Sequence, residues 1–447
     1  MRGDDSMSGI KLGIVSQTPA VRFLRKVRGS VVHLRDLKRK DYMYTVGGVT
    51  PMVRAQLSEL VKEKTVSKAE WFSLNANAPE RIILNEHIEI ENVFLRKENS
   101  QQYTNFKQEL WNNIHGIDAK GFNIAEYLGY FRYNSRLAKA ILQRSERFDI
   151  FEIHDFQQLL LGSMLGPAYP TMFRWHIPFV PDILNAKIKK FIINGMESND
   201  AVVVSTKRDL EGLIRAGFDG RAYQVYPHID PDAYPKSDAE ELVRFEAKYS
   251  IPPGEFLIIN VARMDNMKSQ DDLIKAFSLI KNPKCKLMLI GNGSFTSQTL
   301  GHAKGNSWRA HLERLVARLG LSDRVIFTGY MPDEEVRVAY SRANLFVLPS
   351  RTEGFGLAAV EAWLYNVPSI VSAGAGVSEL IIDGLNGETF APGDFKSLAK
   401  KIGVFIKDPE FCKELGVNAH RTARVCFVKT AVPQLKSIYM KTLAEFE

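Results

Sequence analysis

Short apolar runs, each about as long as one buried strand, alternate with helical stretches along the whole of this chain. In the first half they are residues 11–15, 148–153, 171–175 and 201–205. In the second half they are residues 256–261, 286–290, 324–328 and 343–348, followed by 368–371. A run that is apolar on both faces needs a helical layer on each side, which predicts parallel, doubly wound α/β sheets. A length of 447 residues exceeds one ordinary core, and two such series predict two Rossmann-like domains. The turn-rich segment Val225-Tyr-Pro-His-Ile-Asp-Pro-Asp-Ala-Tyr-Pro235 lies midway and reads as the linker. The expected units are residues 1–232, 233–424 and a terminal helical segment, 425–447.

An apolar fraction of 45% and a charged fraction of 25% are ordinary for a soluble protein. Cys285, Cys412 and Cys426 are odd in number and widely spaced. They form neither a disulfide framework nor a zinc site, and they suit a reducing cytoplasm. No run of 18 apolar residues predicts a membrane span, and the opening Met-Arg-Gly-Asp-Asp-Ser is too polar for a secretion signal. No His, Asp or Cys cluster has metal-ligand spacing, so neither a divalent cation nor another tightly bound cofactor is expected in the protein site.

The net charge of +8 is unevenly spread. Arg22, Arg25, Lys26, Arg28, Arg35, Lys38, Arg39 and Lys40 face a single acid, Asp36, and Lys187, Lys189 and Lys190 form a smaller group. Such clusters attract lipid headgroups or phosphorylated molecules, and equally they can be solvated loops. Peripheral membrane contact through residues 22–40 and a homodimer stay among the options. No nucleic-acid partner is expected.

The segment Ser350-Arg-Thr-Glu353-Gly-Phe-Gly-Leu-Ala-Ala-Val-Glu361 follows the apolar run 343–348. It reads as strand, tight turn and helix N-terminus. Backbone N–H groups at Phe355, Gly356 and Leu357, together with the helix dipole, favour an anion there. Gly354 and Gly356 let a ligand approach the backbone. Arg263 and Lys268 leave the end of the run 256–261 and suit a diphosphate. Gly291 and Gly293 end the next run. In the first half, Gly47 and Gly48 open a helix in which Pro51 suits the first turn. His154, Asp155 and Gln157, and then Arg174 and His176, follow or close strands. Packing alone would seldom select these residue types there, although lone histidines are more often structural than not.

The two carboxylates of segment 350–361 resemble the E-x7-E signature of the retaining family 4 glycosyltransferases. The spacing of Arg263 and Lys268 is similar to that family's strand-Arg-x4-Lys pattern. The resemblance implies a GT-B fold, with two Rossmann-like domains facing each other across a cleft and the last helix returning to the first domain. It implies that Arg263, Lys268 and the turn bind the diphosphate of a nucleotide sugar, with Gly47, Gly48 and Gly291 on the donor side. Glu361 would hold the ribose, the segment Thr328-Gly329-Tyr330-Met331 would lie near the base, and Glu353 and His176 would orient the sugar. His154, Asp155, Gln157 and Arg174 would lie on the sugar or acceptor side. The two histidine segments, with Val225-Tyr-Pro-x-Ile-Asp-Pro, are most similar to the trehalose-forming synthases of the family. Phe156-Gln157-Gln158, where that group more often has proline, and the basic segment 22–40 depart from it and leave the acceptor open.

The expected activity is retaining transfer of a hexose, with glucose as first choice, from a nucleotide-diphosphate sugar to an acceptor hydroxyl. The acceptor would attack from the leaving-group side, and a diphosphate oxygen would take its proton. Free glucose, giving trehalose, ranks first among acceptors, ahead of a sugar phosphate and then a lipid-linked or glycan acceptor. A glycoside hydrolase does not need two cations beside its carboxylates. An epimerase or phosphorylase is a nearer enzyme rival. A sugar-nucleotide sensor or a membrane-surface binder is the reading from another class.

Overall fold

The computed structural model describes residues 9–25, 27, 29–45, 47–75, 78–117, 121–144, 148–292 and 302–446. Lys26, Arg28 and Gly293 lie outside the described residues. The chain packs as two compact units. One comprises the residues up to His228 together with Val428–Glu447, and the other is Ile229–Phe427.

In the first unit the strands are β1 (Ile10–Val15), β2 (Val21–Phe23), β3 (Val31–His33), β4 (Tyr42–Tyr44), β5 (Val66–Leu74), β6 (Arg81–Ile83), β7 (Ile88–Val93), β8 (Ile150–His154), β9 (Thr171–Trp175), β10 (Ala201–Val204) and β11 (Ala222–Gln224). Nine described strands form one sheet in the order β11-β10-β9-β8-β1-β5-β7-β6-β3. Its pairs are parallel except β6 with β7. Strand alternation sends β8 and β9 side chains to two different cores. Phe151, Ile153, Phe173 and Trp175 pack with Tyr103, Phe106 and Tyr130. Ile150 and Met172 pack on the opposite face with Leu57, Leu435 and Val432. That second face is covered by the helices Val49–Lys62 and Val428–Phe446. The last helix turns Val428, Val432, Leu435 and Tyr439 inward at helical spacing.

Strands β5 and β7 are not apparent as apolar runs because Glu70, Glu89 and Glu91 interrupt them. The structure accommodates these carboxylates with cations. Arg144 pairs with Glu70, and Arg81 lies 2.5 Å from Glu89. The basic segment is not a plain loop. β2 and β4 pair antiparallel, β3 joins the sheet edge, and Arg25 bonds Asp41 at 2.6 Å. Arg39 stacks against Tyr42 and Tyr44.

The second unit holds β12 (Phe256–Val261), β13 (Cys285–Ile290), β14 (Val325–Gly329), β15 (Leu345–Leu348), β16 (Ser369–Ser372) and β17 (Glu388–Phe390). Their order is β14-β13-β12-β15-β16-β17, and every pair is parallel. This is the 3-2-1-4-5-6 order of a dinucleotide-binding sheet, whose order reverses between β12 and β15. The loops after those two strands carry Arg263 with Lys268 and Glu353 with Gly356.

Leu435→Ala should destabilise the first unit by about 2–5 kcal/mol, the usual cost of emptying a buried leucine site. Native-state hydrogen exchange reads this as faster exchange of β1 and β5 amides. Unchanged protection there would mean that the last helix is not part of that core.

Candidate active site

In the second unit the two diverging loops are tied together. Arg351 N–H donates to the Met267 carbonyl at 3.0 Å. Lys268 ends a short 3-10 turn, Asn266–Lys268, in which Asp265 accepts from Met267 N–H at 2.9 Å. The Lys268 ammonium donates to the Glu353 carboxylate, which also accepts from the Ser350 hydroxyl at 3.2 Å. Burial pushes the Glu353 carboxyl up, but Lys268, Arg263 and Ser350 together hold it below the usual range. Arg263 is exposed. Its carbonyl accepts from Gln270, whose side chain in turn accepts from the Trp308 indole at 3.0 Å.

The turn after Glu353 is fixed by its neighbour. Glu353 N–H donates to Gly374 O, and Gly376 N–H donates to Glu353 O, both at 3.2 Å. A Cβ on Gly374 would stand 2.0 Å from the Arg351 carbonyl oxygen, so only glycine permits this approach. Gly356 takes φ +102° and starts the helix Leu357–Leu364 without a side-chain cap. The Phe355 side chain is buried, and its carbonyl accepts from Val377 N–H at 2.8 Å. Gly291 serves the strand ends. A Cβ there would meet the Ala262 carbonyl oxygen at 2.0 Å, and Gly291 N–H donates to Gly329 O.

Glu361, one turn into the helix, has both oxygens occupied by tyrosine hydroxyls. Tyr234 donates at 3.0 Å and Tyr340 at 2.9 Å. Burial, helped by Asp333, pushes its carboxyl up against those two hydrogen bonds. Neither tyrosine was singled out from the sequence. Tyr234 lies in the turn-rich linker, and Tyr340 belongs to the amphipathic helix Asp333–Arg342.

In the first unit, β8 and β9 bring His154, His176, Asp155 and Arg174 together. His154 Nδ1 and His176 Nε2 are 2.9 Å apart. Asp155 sits at φ +70°, a rare conformation for a non-glycine residue, and its carboxylate accepts from His176 N–H at 3.4 Å. Burial raises the Asp155 carboxyl to about 7 against hydrogen bonds from the His176 and Phe156 backbone. Gln157 offers only its carbonyl, to Asn134 at 3.1 Å. Gln158 bridges the point of strand-order reversal. Its amide oxygen accepts from the Tyr133 hydroxyl at 2.7 Å and from Gln17 N–H at 2.8 Å. Gly47 and Gly48 both have positive φ, precede the helix Val49–Lys62 and border open space.

Two residues expected on the sugar or acceptor side are buried. Arg174 is 2% exposed. It bonds Gln56 Oε1 at 2.7 Å and lies 3.3 Å from Glu152. His154 is likewise buried, behind His176. The group that organises both is Glu152, which accepts from Gln56 at 2.6 Å and from the Tyr439 hydroxyl. Burial pushes its carboxyl up, yet His154, Arg174, Tyr439 and Gln56 bring it below the usual range. Its sequence signal is a lone acid inside the apolar run Ile150-Phe-Glu-Ile-His154.

Residues 244–422 match the family model described as glycosyl transferases group 1. The match lies within the second unit and spans less than half of the chain. The mannosyltransferase LpcC of lipopolysaccharide core biosynthesis from Rhizobium leguminosarum bv. viciae is 31% identical over 175 residues. That match spans 39% of this chain and 47% of the relative, about half its length. A trehalose synthase from Pyrococcus horikoshii is 26% identical over 312 residues, 68% of this chain and 70% of the relative. Solved structures extend the likeness to almost the whole chain. The sucrose-phosphate synthase of Thermosynechococcus elongatus superposes with TM-score 0.73 at 20% identity, covering 98% of this chain and 100% of that one. Anabaena HepE in complex with UDP-glucose gives 0.67 at 18%, covering 98% and 100%. A trehalose-phosphate synthase from Burkholderia xenovorans in complex with glucose-6-phosphate gives 0.75 at 17%, covering 97% and 100%. The fold of the chain is that of these structures, GT-B. Among the described residues no group of three or more His, Cys, Asp or Glu could hold a metal ion, and no helix is long and apolar enough to cross a membrane.

Lys268→Ala removes the largest charge opposing burial, so Glu353 should titrate above the usual carboxylate range rather than below it. Carbon-13 carboxyl NMR checks this, and an unmoved titration would dissolve the pair. Asp155 sets a pH dependence of its own. Its proton is kept in the fold up to about 7 and lost in the unfolded chain near about 4. Its contribution to stability therefore falls as pH rises between those values. His154, lowered to about 4, and His228, lowered to about 3, act in the opposite sense, gaining stability as pH rises toward their unfolded value. Asp155→Asn should remove only the falling component, so the stability difference from wild type should grow with pH from about 4 to about 7. Chemical denaturation across that window measures it, and a flat difference would refute the burial of a protonated Asp155.

Proposed function

We propose that this glycosyltransferase moves a hexose, with glucose as the first candidate, from a nucleoside-diphosphate sugar to an acceptor hydroxyl with retention of configuration. The observation that carries the reading is the Lys268–Glu353 pair beside Arg263, at the glycine turn that opens the helix Leu357–Leu364. Two cations and a helix N-terminus suit a diphosphate, which gains charge as the sugar leaves, so they stabilise the transition state more than the ground state. A carboxylate held ionised among them is poised to orient the sugar hydroxyls. Glu361 would accept from the ribose, sharing its oxygens with Tyr234 and Tyr340, and Gly291, Gly47 and Gly48 would border the donor. His176, and Asp155 beside it, would meet the sugar or acceptor.

Free glucose, giving trehalose, is the leading acceptor. The support is the likeness to a trehalose synthase together with the two histidine segments. A sugar phosphate is the second reading, favoured by the basic segment and by the fold shared with a synthase solved with glucose-6-phosphate.

The test is incubation with a panel of nucleoside-diphosphate glucoses plus glucose or glucose-6-phosphate. Released nucleoside diphosphate and a non-reducing disaccharide are the expected products. Lys268→Ala should lower kcat/KM by about 10²–10³-fold, the loss typical of one charge partner in the transition state. Glu361→Gln should act mainly through the donor KM. Nucleotide release without disaccharide would discard both acceptors and keep the donor. No donor consumption would turn the reading toward an epimerase or a sensor.

A further inference from the structure

Glu152 is an acceptor on both oxygens. Oε2 takes hydrogen bonds from Gln56 and Tyr439, and Oε1 faces Arg174 at 3.3 Å and His154 Nε2 at 3.4 Å. A bare ring nitrogen set against that oxygen would oppose two lone pairs in a site where His154 and Glu152 are 1% and 0% exposed. The contact is not a completed hydrogen bond in this geometry, so it is the charge of Glu152, 3.4 Å away, that assigns the His154 proton to Nε2. Burial and the charge of Arg174 keep both histidines neutral, so each has only one proton to place. With Nε2 protonated, His154 Nδ1 is a lone pair, and it lies 2.9 Å from His176 Nε2. His176 must then be the donor across that contact. Its remaining nitrogen, Nδ1, is left as an acceptor.

His228 is a further buried histidine of the first unit. Its Nδ1 faces the Tyr226 carbonyl at 3.3 Å, which needs a proton on Nδ1. Its Nε2 is then bare, fully buried and without a hydrogen-bond partner.

We infer that Glu152, acting through His154, fixes the tautomer of His176 so that the β9 end presents a hydrogen-bond acceptor, His176 Nδ1, that selects a ligand's hydroxyl over an anionic oxygen. Glu152 and His154 are positioning residues, since neither touches the ligand. On the glycosyltransferase reading the selected hydroxyl belongs to a sugar. An anionic oxygen is disfavoured there because an acceptor offers it no proton.

Long-range proton–nitrogen correlation on protein labelled with nitrogen-15 in histidine reads each tautomer directly, with signals assigned by His154→Gln, His176→Gln and His228→Gln. The free protein should show Nε2–H on His154 and His176 and Nδ1–H on His228. Nδ1–H on His176 would overturn the inference. Glu152→Gln offers an amide that can donate to His154 Nε2, so it should move the proton to Nδ1 on both His154 and His176. A His176 unchanged in that variant would show that Glu152 does not set it. If Glu152→Gln does not fold, the wild-type tautomers alone decide, and Tyr439→Phe, which keeps the carboxylate, should leave them as they are. Because the tautomers are read without any sugar nucleotide, this result stands or falls separately from the transfer assay. Where transfer is seen, Glu152→Gln should shrink the kcat/KM preference for the full donor over its deoxy analogues, and an unchanged preference would remove the selective role.

Discussion

Parallel strands carry their loops out at one edge, and a doubly wound sheet has one place where two neighbouring loops turn opposite ways. In the second unit that place lies between β12 and β15, whose pairing sets Ile258 beside Leu345 and Ile259 beside Phe346. The constraint decides much of the chemistry. Arg263 and Lys268 come from one loop, Glu353 and Gly356 from the other, and they meet because the sheet gives both loops the same exit. The bond from Arg351 N–H to the Met267 carbonyl closes the gap at backbone level. The third loop, through Gly374, presses in behind. Side-chain chemistry is thus placed by rigid strands rather than by long flexible connections.

Each unit holds a carboxylate at least partly out of solvent, and each solves the cost differently. An unpaired buried carboxylate would take up a proton. Lys268 prevents this for Glu353 with one direct ion pair at the edge of the site. Glu152 lies deeper, and its charge is divided among Arg174, Gln56 and Tyr439, which come from a strand and two helices. A buried ion pair is poor evidence of net stability but breaks expensively. The Glu152 network joins the last helix to the helix Val49–Lys62 and the sheet, so it also ties chain segments far apart in sequence within the first unit.

Much of this was legible in the sequence because apolar runs and glycine turns are local signals. β12, β13 and β15 begin or end within a residue or two of the apolar runs that predict them, and the Glu353–Glu361 segment folds as strand, turn and helix. What escaped was non-local. β5 and β7 carry Glu70, Glu89 and Glu91; Arg144, the partner of Glu70, is distant in sequence, and Arg81, though near Glu89, pairs with it only because β6 and β7 run antiparallel. Arg174 reads as a cation at a strand end, but the parity of β9 points it to the same side as Met172, against Gln56. Tyr234, Tyr340 and Tyr439 gain meaning only from the carboxylates they reach. The basic segment looked like a loop because its strands are three residues long and pair with distant partners.

The two carboxylates eight positions apart are different instruments, and their surroundings say so. Glu353 has Lys268 in contact and Arg263 nearby, and it stays ionised below the usual range. Glu361 has no cation among the causes of its shift, only two tyrosine hydroxyls and the like charge of Asp333, and it is pushed up. Divergent environments for paired carboxylates separate their roles. The first supplies fixed negative charge beside two cations. The second supplies acceptor geometry, its lone pairs already oriented by Tyr234 and Tyr340. On the proposed reading, charge at one end of the turn and hydrogen-bond geometry at the other would serve a ligand with an ionised middle and neutral hydroxyl-bearing ends.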